Sequence, residues 1–120
     1  MTIKLIHQPV YSFICGQTCL AMILNISVEA ACQIVGHNHC TSTGELSHSL
    51  DMCGFRNSGK LERIKGGNPL PNLCIIRSKV IGKRKGHWMV YSDGVEYDPF
   101  PVEYDKTIWK NISYLEIYND

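Results

Sequence analysis

Net charge is nearly absent from this sequence: 12 Lys and Arg stand against 11 Asp and Glu, a formal charge of +1. Without a global field, neither nucleic acid nor an anionic membrane surface is an expected partner. The one local basic run, Lys79, Lys83, Arg84 and Lys85, is interrupted by Gly82 and reads as a solvated loop. Long apolar runs are missing as well. Lys4, His7 and Gln8 break up the N-terminal residues, which leaves no signal-like apolar segment there. The longest apolar run, Cys19 to Leu24, falls far short of the roughly 20 residues that cross a bilayer. The expectation is a cytoplasmic protein, or else a fragment cut from a larger secreted chain.

Also lacking are an internal repeat, a linker that would divide the chain and a Cys-x-x-Cys pair. Residues 1–120 therefore read as one domain with a single core. With nothing pointing to export, the six cysteines are expected as reduced thiols, mostly buried fillers with room for a reactive one.

What is present changes character halfway. Thr2 to Ile6 alternates weakly, as a short strand or an extended lead-in, and Pro9 makes Gln8 to Ile14 a loop. The first helix is expected from Gly16 to Leu24, with Cys19, Leu20, Ile23 and Leu24 at helical spacing. Ser27 caps a second helix, Val28 to Val35, closed by Gly36. Ser42 and Glu45 form a capping box opening a third, which Gly54 stops. Residues 54–72 are rich in Gly, Asn, Pro and Lys and imply an irregular connection with one short element at Leu61 to Ile64. Strands are expected at Leu73 to Ser78, His87 to Ser92, Val95 to Asp98 and Ile112 to Tyr118, with Asp93-Gly94 as a two-residue hairpin turn. Helices first and antiparallel strands second predict an α+β domain, helices packed on a C-terminal sheet.

The hairpin carries a geometric argument. A two-residue turn sets Ser92 opposite Val95, Tyr91 opposite Glu96 and Val90 opposite Tyr97, and would set Met89 opposite Asp98. Asp98 then shares a face with Met89 and His87 and lies diagonal to the imidazole. A carboxylate there fixes the imidazole tautomer and supports the imidazolium, as the base of a Cys–His pair requires. The bland alternative is that Asp98 merely begins an Asp-Pro turn.

Cys15 is the expected nucleophile, because it stands at a helix start where unpaired N–H groups favour a thiolate. Cys19 competes one turn on, but inside the apolar stripe, where desolvation disfavours the thiolate. Gln8 offers its amide N–H as an oxyanion donor beside the backbone N–H of Cys15. Gln17 is the weaker substitute, since a first-turn side chain is expected to face solvent. A zinc module is the rival reading, drawing on Cys15, Cys19, His37, His39, Cys40, His48 and Cys53, although the usual knuckle spacing is missing.

In order, Gln8, Cys15-Gly16, Cys19-Leu20-Ala21-Met22-Ile23, Thr43-Gly44-Glu45-Leu46, Gly86-His87-Trp88-Met89-Val90-Tyr91 and Asp98-Pro99 resemble the double-glycine leader peptidases, a family of papain-like cysteine peptidases. The likeness spans roughly residues 3 to 100. It implies a papain-like fold with Cys15 as nucleophile, His87 as general base, Asp98 as its orienter and Gln8 as oxyanion donor. No metal or other cofactor is implied, and the expected partner is a polypeptide substrate with small residues near the cleaved bond. Acyl transfer to an acceptor other than water would use the same groups. The chain departs from the family in carrying Ile14 where an acidic residue often precedes the cysteine, and in a longer gap from Gln8 to Cys15. It also has no transmembrane or ATPase portion, so export-coupled processing is not implied.

Overall fold

A computed structural model describes residues 2–83 and 86–118, so Arg84 and Lys85 of the basic run lie outside the described residues. Three helices come first: α1 (Cys15–Leu24), α2 (Val28–Val35) and α3 (Thr43–Met52). Five strands follow: β1 (Glu62–Arg63), β2 (Leu73–Val80), β3 (Gly86–Ser92), β4 (Val95–Tyr97) and β5 (Trp109–Glu116). They form one antiparallel sheet in the order β1-β5-β2-β3-β4, and the fold is α+β.

Local chemistry explains two helices well. The Ser27 hydroxyl accepts from Ala30 N–H to open α2, and Gly36 closes it at φ 99°. At α3, Ser42 and Glu45 satisfy each other's backbone donors in a capping box. Helix α1 is different. It begins at Cys15, one residue earlier than expected, and Ile14 makes no side-chain cap. Its N-terminal N–H groups therefore have no acceptor from a cap. Gly16 through Ile23 are all buried, so α1 is a core helix that touches α2, α3 and β3 rather than an amphipathic one. No single helix among the described residues is long and apolar enough to cross a membrane.

The main core joins α1 residues Cys19, Leu20 and Ile23 to Leu46 and Leu50 of α3 and to Ile75, Trp88, Val90 and Leu115 on one face of the sheet. A smaller cluster, Cys74, Ile76 and Met89, lies on the opposite face beneath Ile64, Leu70, Tyr91 and Tyr114. Both faces of β2 are thus covered, and its run of apolar residues shows no alternation.

Several expectations need correction. Of the two readings of Thr2 to Ile6, the strand is the one set aside: the segment is a lead-in without strand pairing, and Ile3 is buried in the main core. Strands β2 and β5 extend beyond the apolar runs, to Val80 and from Trp109, because they pair with each other there. A 3-10 turn, Lys106–Ile108, precedes β5 and had no signal in the apolar pattern. The hairpin register is as expected where the ladder lasts: Ser92 pairs with Val95, Tyr91 with Glu96 and Val90 with Tyr97. The ladder then stops, and Asp98 lies one residue past it.

Gly16 is where the two halves meet most closely. A Cβ there would lie 2.9 Å from the Thr41 Cβ and 3.3 Å from Trp88 Cδ1. Trp88 Nε1–H also donates to the Thr41 carbonyl at 3.1 Å, tying β3 to the segment before α3. Gly16→Ala is expected to destabilise the protein by about 1 kcal/mol. Overpacking costs roughly 1–3 kcal/mol, of which alanine's helix propensity returns up to about 1. The urea midpoint of the variant checks this; an unchanged or higher midpoint contradicts it.

Candidate active site

The N-terminus of α1 points at the start of β3, and the side chains of Cys15 and His87 meet there. His87 is 6 % exposed and stands at the sheet's end. Its Nε2–H donates to Asp98 Oδ1 at 2.6 Å, which leaves Nδ1 as the nitrogen available to the Cys15 thiol. Asp98 reaches the ring because the tight Asp93-Gly94 turn, with φ of 49° and 87°, returns the chain in register beside β3. Its Oδ1 also accepts Phe100 N–H at 3.0 Å, and its Oδ2 accepts the Tyr104 hydroxyl.

The electrostatics follow from these contacts. Burial pushes the Cys15 thiol up, but the His87 hydrogen bond and charge, the Trp88 backbone N–H and the Arg77 guanidinium outweigh it, so the thiol is lowered. Burial disfavours the His87 cation, yet Asp98 and Cys15 raise the imidazole to about 9. Asp98 is held below the usual carboxylate range despite its burial, by His87, Tyr104 and the Phe100 N–H. All three shifts favour a thiolate–imidazolium pair backed by a carboxylate. Arg77 reaches this place by lying 4.7 Å over the Trp88 ring, in space that the absent side chain of Gly86 leaves open.

A cleft of about 600 Å³ opens over Cys15 and His87. One wall is the 8–13 loop, with Val10, Tyr11 and Phe13 exposed; the other carries Phe100, Val102 and Ile108, also exposed. A second hollow lined by Lys79, Lys83 and Lys110 contains neither a nucleophile nor a base.

The other expected groups fall as follows. Gln8 is buried in the cleft wall, and its backbone N–H donates to Pro99 O at 2.8 Å. Its side-chain amide donates to the Ser12 carbonyl at 3.1 Å and to Ser12 Oγ at 3.3 Å, inside its own loop. Its Oε1 is buried and has no hydrogen-bond partner among the described residues. Cys19 is fully buried, and burial, with Cys15 and Asp98 nearby, pushes its thiol well above the ordinary range. The expectation that Gln17 faces solvent is overturned: it is fully buried and donates to the carbonyls of His37 and His39, because residues 37–41 cross the start of α1. His37 bonds Glu45 at 2.6 Å and stacks on His39, while His48 is exposed on α3. Among the described residues no three His, Cys, Asp or Glu side chains converge as a metal-ligand set, so the zinc reading finds no site there. All six cysteines are free.

Reasoning from the sequence missed Arg77, the Trp88 N–H and Tyr104. The first had a signal, since Arg77 lies opposite Trp88 in the β2–β3 pairing. Tyr104 had none, because it comes from an unpatterned loop. No protein-family model matches the chain, and no curated protein is detectably similar to it.

Two outcomes are expected. Iodoacetamide at about pH 6 alkylates Cys15 at least tenfold faster than the exposed Cys40 and Cys53, and His87→Ala removes that lead. Peptide mapping reads it, and uniform slow labelling contradicts it. The second concerns stability. His87 titrates near 6.5 when unfolded and at about 9 when folded, so its pairing stabilises the fold fully below 6.5 and ceases to do so as pH rises through 9. The gap in urea midpoint between wild type and His87→Ala therefore narrows from about pH 7 to about pH 10; a constant gap contradicts it.

Proposed function

We propose that this protein catalyses thiol-dependent acyl transfer on a polypeptide, as a cysteine peptidase of papain-like architecture that cleaves a peptide or isopeptide bond. The observation that carries this reading is the buried imidazole shared by two partners. Asp98 lies 2.6 Å from Nε2, and the lowered Cys15 thiol is its other partner at an uncapped helix start. A structural ion pair needs no nucleophile on its second side and no open cleft above it; here both are present.

In this mechanism the Cys15 thiolate attacks the carbonyl carbon of the scissile bond, and the C–O π pair moves onto oxygen. The resulting oxyanion is received by the backbone N–H of Cys15, at the positive end of α1. The Gln8 amide joins it only on leaving Ser12, to which it is bonded in the resting protein. The tetrahedral adduct collapses as the His87 Nδ1 proton passes to the leaving nitrogen, giving a thioester on Cys15. His87 then takes a proton from water, or from another acceptor, as that acceptor attacks the thioester. Asp98 keeps Nε2–H bonded throughout and so holds Nδ1 toward the sulfur.

An extended peptide fits the cleft, where apolar side chains of both walls flank the Cys15–His87 pair. The free state of all six cysteines suits the reducing cytoplasm. No cofactor enters any step.

A peptide mixture treated with the protein in hydroxylamine tests this, because hydroxylamine intercepts a thioester as an acyl hydroxamate. New peptide termini and hydroxamates are expected with wild type and none with Cys15→Ala. Asp98→Asn is expected to slow the reaction by about 10²–10⁴. Gln8→Ala is expected to slow turnover by about 10²–10³ while leaving iodoacetamide labelling of Cys15 unchanged. The absence of both products and selective labelling of Cys15 would refute the acyl-transfer reading.

A further inference from the structure

Asp98 is the least anchored member of the constellation. The β3–β4 ladder ends at Val90 and Tyr97, so no strand pairing holds the next residue, and Pro99 follows it at once. A carboxylate in that position turns freely about its Cβ–Cγ bond unless both oxygens are occupied. Oδ1 is occupied by His87 Nε2–H and Phe100 N–H. The donor to Oδ2 is the Tyr104 hydroxyl. We infer that Tyr104 is a positioning residue of this site, whose hydroxyl locks the Asp98 carboxylate in the orientation that serves His87.

Tyr104 is itself clamped. Its ring packs edge-to-face on Phe100 at 5.0 Å and on Trp109 at 5.8 Å, and the Lys106 ammonium lies 5.7 Å from its centroid. Trp109 begins β5 and pairs with Val80 of β2, so the clamp is fastened to the sheet rather than to the loop alone. Phe100 and Trp109 also stand T-shaped to the His87 ring, at 5.7 Å and 6.0 Å. The three aromatic rings thus gather around His87, and all three line the cleft that also holds Cys15. Burial and the neighbouring carboxylate raise the phenol, which keeps Tyr104 a proton donor over the working range. This role concerns the site of the proposed acyl transfer and rests on that reading for its purpose.

The titratable groups that face the pair are Cys15 and Cys19 of α1 and Tyr104 itself, while Arg77 of β2 acts on Cys15, and Glu96 of β4 and Lys106 face Tyr104. The test is an NMR titration of the His87 imidazole in wild type, Tyr104→Phe, Asp98→Asn and the double variant. Tyr104→Phe keeps the ring packing and removes only the hydroxyl. It is expected to lower the His87 midpoint by about one pH unit, and to move the acid limb of Cys15 alkylation up by a similar amount. In the Asp98→Asn background the same change is expected to do nothing further. An unchanged or raised midpoint overturns the inference. So does an equal drop with Asp98→Asn present, which would assign the effect to ring packing on His87. Repeating the titrations with Cys15→Ala separates the two proposals. The Tyr104 effect is expected to persist without the thiol, and its absence there counts against Tyr104 alone. An inert Cys15 in wild type counts against acyl transfer alone.

Discussion

The contact on which everything else depends is the seating of the α1 N-terminus against β3. Gly16 lets it happen: with no Cβ, the helix start approaches Thr41 and the Trp88 indole within contact distance, and the indole N–H bonds the Thr41 carbonyl across the junction. Cys15 precedes that glycine and His87 precedes that tryptophan. Docking of the helix start therefore brings thiol and imidazole together as a by-product of core packing. The same seat delivers the Trp88 backbone N–H and the Arg77 charge to the sulfur.

Around this seat the molecule divides its tasks. Helix α1 is buried along nearly its whole length, so its position is over-determined by hydrophobic contact. Its first turn has no side-chain cap, and the donors that a Ser or Asp would have taken stay available. The hairpin works by register instead, and a single added residue in its turn would send Asp98 to the other face. One partner is held by packing density and the other by hydrogen-bond counting. Tyr104 closes the arrangement from a third direction, fastened to the first residue of β5.

Much of this was legible in the sequence wherever the determinant is local. Ser27 with Gly36, and Ser42 with Glu45, mark α2 and α3 because capping is settled within four residues. Asp93-Gly94 marks the hairpin because only a few residue types adopt two successive positive φ values. From that turn, alternation alone carries the argument from His87 to Asp98. What was not legible depends on chain paths with no repeating pattern. Gln17 looks like a surface side chain until residues 37–41 are seen to cross it. The occupied amide of Gln8 follows from the turn at Ser12, and Tyr104 meets Asp98 only through the course of the loop after Pro99. The strand order, with β5 inserted between β1 and β2, is likewise a long-range outcome.

The distance in sequence between Cys15 and His87 has a consequence for the life of the chain before it folds. During synthesis the thiol emerges long before the imidazole, and in an extended chain it is as unreactive as Cys32 or Cys53. The lowering of its thiol waits for α1 to seat on β2 and β3, which carry Arg77, His87 and Trp88. In the acyl transfer proposed above, the nascent protein would thereby be spared from attacking its own backbone or its neighbours while unfolded. Any loss of the native packing silences the thiol again, so reactivity and nativeness rise and fall together.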